Sequence, residues 1–256
     1  MLGAIAGDMI GSVYEHNPIK TTEFTLLQEN SHFTDDSVMT LAIAHAILKG
    51  RDYRAAYQSF GRLYPHSGYG SAFIKWIFME NAQPYNSYGN GSAMRVSPVG
   101  IAFNTVDEVL EQARFSGQVS HNHPEGTKGA QATALAVYFA RSGGTKETIR
   151  HEISYRFGYD LDLSAAEIRP SYHFDVTCQG TVPQALIAFF ESDDYEHAVR
   201  LAISLGGDSD TLGCITGGIA QAFYKEIPST IEHQVRARLP DELLEILDSF
   251  MSEYPL

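Results

Sequence analysis

Gly206-Gly207-Asp208-Ser209-Asp210-Thr211 opens a stretch that continues to Tyr224 through Leu212, Ile215 and Ile219. The apolar spacing predicts a buried helix that starts within residues 208–211 and runs to about residue 224. A second stretch has the same design. Phe33-Thr34-Asp35-Asp36-Ser37 leads into Val38, Met39, Leu41, Ile43, Ile47 and Leu48. From Asp35 to Gly50 the pattern is apolar nearly all round, with Thr34 as N-cap, Asp35 and Asp36 in the first turn and Gly50 at the end. Helices without a polar face need other helices around them, and this decides the fold class.

Further helices are expected over Thr127–Ala140, stopped by Gly143-Gly144, and over Pro183–Glu191, with Pro183 near the first turn. Two more cover Asp194–Leu205 and Asp241–Met251. Strand-like alternation is scarce, and Thr21–Leu27 is the best candidate for a strand. No βαβ rhythm, repeat or low-complexity tract is present, and Arg141–Gln179 has the weakest periodicity. The expected fold is all-α: a single compact domain of orthogonal helices over residues 1–256.

Composition bounds the function. The 256 residues are 44% hydrophobic and 19% charged, which is globular and not disordered. Lys and Arg number 18 against 31 Asp and Glu, a formal net charge of −13. That balance offers no electrostatic footprint for phosphate backbones, so general nucleic-acid binding is not expected. Cys178 and Cys214 form no CxxC, which argues against a thiolate zinc site. No apolar run is long enough to span a membrane, and Asp8 interrupts the apolar N-terminus, so the chain reads as cytoplasmic. The sequence sets no oligomeric state.

The two acidic stretches carry the chemistry. Capping explains one carboxylate at a helix start, worth about 1 kcal/mol. Each stretch has two, and each leads into an apolar helix where unpaired charge is expensive. Hard cations resolve this. Mg²⁺ or Mn²⁺ takes oxygen ligands, and two such ions balance the four charges of Asp35, Asp36, Asp208 and Asp210. The hydroxyls of Thr34 and Thr211 are available to complete the shells. Consecutive ligands need the irregular backbone of a helix start, and Gly206-Gly207 supplies it.

In these residues the chain resembles the ADP-ribosylglycohydrolases, a family that includes the dinitrogenase reductase-activating glycohydrolases. Gly7-Asp8 to Gly11-Ser12, followed by Tyr14-Glu15, looks like that family's N-terminal motif. Thr34-Asp35-Asp36-Ser37 looks like its first metal motif and Gly207-Asp208-Ser209-Asp210-Thr211 like its second, in the same order. The resemblance spans Leu2 to about Tyr224, and Arg141–Gln179 matches least. It implies an all-α fold with two Mg²⁺ or Mn²⁺ held by Thr34, Asp35, Asp36, Asp208, Asp210 and Thr211. Glu15 would lie close to the metals, as a ligand or as the residue that activates water or the leaving group. Asp8 is read instead as the hydrogen-bond acceptor that fixes a backbone turn.

Two glycine-rich turns, Ser67-Gly68-Tyr69-Gly70-Ser71 and Ser87-Tyr88-Gly89-Asn90-Gly91-Ser92, offer backbone N–H groups to an anion, although such turns are often merely turns. Neither is an ATP-type phosphate loop. The resemblance places them along an ADP-ribose cleft, with Gly68, Tyr69, Ser87, Tyr88, Gly89, Asn90 and Met94 as substrate contacts. Arg95 stands either near the anionic ligand or in a structural salt bridge. The resemblance also places a substrate-binding histidine at His121, whereas His123 receives no role. The activity implied is hydrolysis of the glycosidic bond at the distal ribose of an ADP-ribosylated partner, expected to be a protein. Glu15, Asp35 and Asp36 are the candidate proton acceptors. The rival readings are a metal-dependent hydrolase of a free nucleotide or small ADP-ribose derivative, and a non-catalytic ADP-ribose-binding or crystallin-like protein. The retained ligand set favours an enzyme.

Overall fold

In the computed structural model, which describes residues 1–256, every regular element is a helix. The first eight are α1 (Leu2–Gly11), α2 (Asp35–Leu48), α3 (Tyr53–Leu63), α4 (Ser71–Phe78), α5 (Gly91–Met94), α6 (Ser97–Ala102), α7 (Val106–Gln118) and α8 (Pro124–Arg141). They are followed by α9 (Lys146–Phe157), α10 (Ala165–Ile168), α11 (Cys178–Glu191), α12 (Tyr195–Ser204), α13 (Ser209–Tyr224), α14 (Ser229–Arg236) and α15 (Asp241–Glu253). One hydrophobic cluster of 71 buried residues runs through them. No helix is long and apolar enough to cross a membrane.

The centre is the pair α1–α13. Every residue of α1 is buried, and so is α13 from Ser209 to Ala222. Glycines let the two backbones touch: Gly3, Gly7 and Gly11 face Gly217, Gly213 and Ser209. A Cβ at Gly3 would stand 2.5 Å from the Gly217 carbonyl oxygen, and one at Gly7 would meet the Gly213 carbonyl at closer range still. The N-terminal ammonium and the Gly3 N–H both donate to Gln221 Oε1, at 2.8 and 2.7 Å, and so set the register. The chain leaving α1 is thereby laid against the start of α13.

Helix starts follow side-chain caps. Thr34 Oγ1 accepts from Asp36 N at α2, Asp194 accepts from His197 N at α12, and Thr177 accepts from Gly180 N at α11. The Thr177 cap starts α11 at Cys178, five residues before Pro183, so Pro183 lies inside the helix and not near its first turn. Helix α8 likewise starts three residues before Thr127. Pro124 fills its first position, and His123 is the cap, accepting from Glu125 N.

The strand expected over Thr21–Leu27 does not form. Its carbonyls are taken by side chains: Arg200 donates to Thr22 and Phe24, and Tyr14 Oη donates to Thr25. Phe24 packs edge-on to Tyr14, with ring centroids 5.0 Å apart. No neighbouring strand exists to pair with it, and the only β-bridge joins Gly89 to Thr177. The weakly periodic Arg141–Gln179 contains α9, which buries only Ile149 and Ile153 and so leaves little apolar period to read.

Candidate metal centre and its cleft

The N-termini of α2 and α13 meet, and the turn after α1 lies beside them. Asp8, buried in α1, fixes the first of these ends. It accepts from Thr34 N at 3.0 Å, from Thr34 Oγ1 at 2.7 Å, from Ser37 N at 3.0 Å and from Ser37 Oγ. That is the backbone-fixing role expected of it. The Asp35 N–H donates 2.7 Å to the carbonyl of Ser67, which ties the first glycine turn to the same helix end.

The second helix end departs from capping. Asp208 holds the N-cap position of α13 but makes no capping hydrogen bond. Its carboxylate instead accepts from Asn90 Nδ2 at 2.7 Å, and the same nitrogen donates to Thr181 Oγ1 at 3.1 Å. Gly206 has φ +68°, and a Cβ at Gly207 would strike the Tyr172 ring, so glycine is required at both positions. The carboxylate oxygens of Glu15, Asp208 and Asp210 lie within 4.8 Å of one another. Thr34 Oγ1 and Thr211 Oγ1 each stand 3.4 Å from Asp36 Oδ2. All seven residues expected at the metal site line one cavity.

Charge in this cluster is uncompensated. No Lys or Arg pairs with Asp8, Asp35, Asp36, Asp208 or Asp210, and Glu15 has only His16, 3.8 Å away. Burial and then the Asp210 charge raise the pKa of Asp35, Asp36 and Asp208 well above the ordinary carboxylate range. The same two causes raise Glu15, and they lift Asp8 to about 7. Asp36 Oδ1 is buried with no hydrogen-bond partner. An orphaned carboxylate oxygen among convergent acids and hydroxyls fits a hard divalent cation, whose charge removes the repulsion and whose coordination satisfies that oxygen.

The cluster forms one end of a cavity of about 610 Å³. Gly68, Ser87, Gly89, Asn90, Met94 and His121 line it, as do Glu15, Asp35, Asp36, Asp208, Asp210, Thr34 and Thr211. Tyr69 and Tyr88 do not. Tyr69 turns into the core against Phe73, with centroids 5.8 Å apart, and Tyr88 points outward beside His123. The aromatic surface of the cavity comes from Phe73, Tyr85 and Phe174, none of which stood in a readable motif. Phe174 and Val176 belong to the weakly periodic segment. They form a lip fastened to the second glycine turn, where Asn90 N donates 2.7 Å to Val176 O and Cys178 N donates 2.9 Å to Tyr88 O.

His121 is buried, with its ring between Phe73 and Tyr85 at centroid distances of 6.1 and 5.8 Å. Burial and the nearby Arg95 charge hold its pKa well below the usual imidazole value, so it is neutral. Arg95 is buried under the cavity without a salt bridge, stacked on Tyr57 with its guanidinium 4.2 Å from the ring centroid. One end of the cleft therefore gathers acids and the other neutral and cationic donors over backbone turns, an arrangement suited to a metal-bound sugar joined to an anionic group.

Comparison with known proteins agrees with this geometry. Residues 1–255 match the ADP-ribosylglycohydrolase family, and the chain belongs to it. It is 26% identical over 301 residues to the ADP-ribosylhydrolase ARH3 of Xenopus tropicalis, covering 88% of this chain and 86% of that one. It is 23% identical to the ADP-ribosylarginine hydrolase Tri1 of Pseudomonas putida, covering 88% and 69%. A solved structure described as an ADP-ribosylglycohydrolase-related protein complex superposes with a TM-score of 0.75 at 25% identity, over 99% of this chain and 97% of that one.

Proposed function

We propose that this glycohydrolase releases ADP-ribose from a modified target, a protein side chain above all, by hydrolysing the bond at the anomeric carbon of the distal ribose. The observation that carries the reading is Asp208. It occupies a capping position without capping and points its carboxylate into a nucleotide-sized cleft that also receives Glu15, Asp35, Asp36 and Asp210. Thr34, Asp35, Asp36, Asp208, Asp210 and Thr211 would hold two divalent ions, Mg²⁺ or Mn²⁺. Bound there, the ions supply Lewis-acid chemistry, fixing sugar hydroxyls and acidifying water.

The chain supplies the remaining functions. The glycine turns at Gly68 and at Gly89-Asn90 offer backbone to the diphosphate, and Phe73, Tyr85 and Phe174 offer ring faces. Of the three candidate proton acceptors, Glu15 and Asp35 are both part-exposed on the cavity, and Glu15 is assigned the role ahead of the buried Asp36. The Glu15 side chain is 28% exposed, so it reaches a water at the sugar, whereas Asp36 is 2% exposed. Glu15 takes a proton from the attacking water as the glycosidic bond breaks through an oxocarbenium-like transition state. The electron pair of that bond leaves with the target side chain.

Product analysis tests this. ADP-ribosylated arginine and serine peptides, incubated with the protein and Mg²⁺ or Mn²⁺, should yield an unmodified peptide and ADP-ribose with its diphosphate intact. Products with a split diphosphate would assign the cleft to phosphohydrolysis, and tight ADP-ribose binding without turnover would assign it to recognition.

A further inference from the structure

Arg95 is 1% exposed, has no carboxylate partner and leaves its Nε unpaired in the interior. Its Nη2 donates to Ser120 Oγ at 3.0 Å, and that oxygen lies 2.8 Å from His121 Nδ1. Ser120 is fully buried, and these are the two partners of its hydroxyl. A guanidinium has donors only, so Ser120 Oγ must accept from Arg95. The serine proton then has one available acceptor, His121 Nδ1. The opposite assignment, in which Nδ1–H donates to Ser120, would leave the buried serine hydroxyl hydrogen without a protein acceptor. Proton accounting therefore leaves the imidazole hydrogen on Nε2.

That nitrogen faces the second glycine turn: a Cβ at Gly91 would lie 3.1 Å from Nε2, and one at Gly89 would lie 3.6 Å away. We propose that Ser120 and Arg95 are positioning residues that lock His121 as a neutral imidazole presenting Nε2–H to an oxygen of the ligand's phosphate or adjoining ribose. The Arg95 charge strengthens the serine as a donor, and the serine in turn strengthens Nε2–H, as in any polarised hydrogen-bond chain. A neutral ring keeps this direction at every physiological pH, whereas a protonated one would lose the acceptor at Nδ1. The place of the ligand oxygen rests on the proposed function, but the tautomer itself does not.

The test reads the tautomer first. In proton–nitrogen correlation spectra of the full chain with Mg²⁺, the signal absent from His121→Gln identifies His121. The expected pattern is a protonated Nε2 and a bare Nδ1. Ser120→Ala should abolish that fixed pattern and weaken ADP-ribose binding by about tenfold, the loss of one hydrogen bond to a charged group, while Mg²⁺ affinity stays unchanged. A protonated Nδ1 in the wild type overturns the proposal, and so does an unaltered tautomer and ADP-ribose affinity in Ser120→Ala. Should Ser120→Ala fail to fold, the wild-type spectrum decides alone. The expected tautomer in a protein that does not bind ADP-ribose would remove the proposed function and leave the relay standing.

Discussion

Replacing Gly7 by alanine tests the packing that builds the candidate metal centre. In an ordinary helix interior this change stabilises by roughly 0.5–1 kcal/mol, because alanine loses less backbone entropy. Here the sign should reverse. Real Cβ contacts do not fall below 3.0 Å, and the Gly3 position, at 2.5 Å from Gly217 O, would already demand a shift of 0.5 Å, the difference between those two distances. Gly7 meets the Gly213 carbonyl more closely, and the obstacle is backbone, which has no rotamer to yield. Overpacking of this kind costs on the order of 3 kcal/mol. For a chain of this size that lowers the melting temperature by roughly 6–12 °C. The control is Gly117→Ala in α7, where the nearest atom to the new methyl is 3.6 Å away and the ordinary helix gain applies. Circular dichroism melts of both variants decide the matter. A Gly7→Ala protein melting at or above wild type would refute the backbone contact. A folded but destabilised variant should also bind Mg²⁺ more weakly, since parting α1 from α13 moves Glu15 away from Asp208 and Asp210.

Mg²⁺ or Mn²⁺ at a hundredfold excess over Kd should add about 2.7 kcal/mol per site, raising the melting temperature by roughly 5–10 °C. Asp208→Ala should show a smaller rise, because the site loses one of its acidic ligands while α13 loses no cap; a rise equal to that of wild type would remove Asp208 from the metal site. The pH dependence of the EDTA-treated protein follows from the raised carboxylates. Asp8 sits near 7 when folded against an ordinary 3.8, so the folded state binds the extra proton. Stability is then fully present below pH 3.8 and declines as pH rises through about 7, with Asp35, Asp36 and Asp208 acting in the same direction. Melts that become more stable from pH 4 to pH 7 without metal would contradict this, and added Mg²⁺ should flatten the decline.

The parts of the molecule legible in sequence are those where one local signal suffices. Asp35–Gly50 and residues 208–224 read as buried helices because they are apolar on every face, and their acidic starts mark the candidate metal centre. Helices α3, α7 and α14 carry polar faces and fewer buried residues, so no continuous apolar run marks them, although Thr105 with Asp107 and Glu108 marks the start of α7. The lip residues Phe174 and Val176 owe their place to hydrogen bonds with a turn some 85 residues away, which no local period encodes. Tyr69 and Tyr88 show the converse. Their glycine turns reach the cleft through backbone, so the tyrosine between two cleft residues does not line it: Tyr69 packs against Phe73, and Tyr88 is exposed beside His123. His123 carries a helix cap, a role that becomes visible only when Pro124 is recognised as the first helical residue.

On the proposed function, the carboxylates at the starts of α2 and α13 form a binuclear divalent-metal centre. Anomalous diffraction from crystals grown with Mn²⁺ measures this directly. Two peaks are expected among Thr34, Asp35, Asp36, Asp208, Asp210 and Thr211, one of them against Asp36 Oδ1, and both should vanish after soaking in EDTA. A map with no anomalous density inside that cluster, from crystals diffracting well enough to show the side chains, would contradict the account.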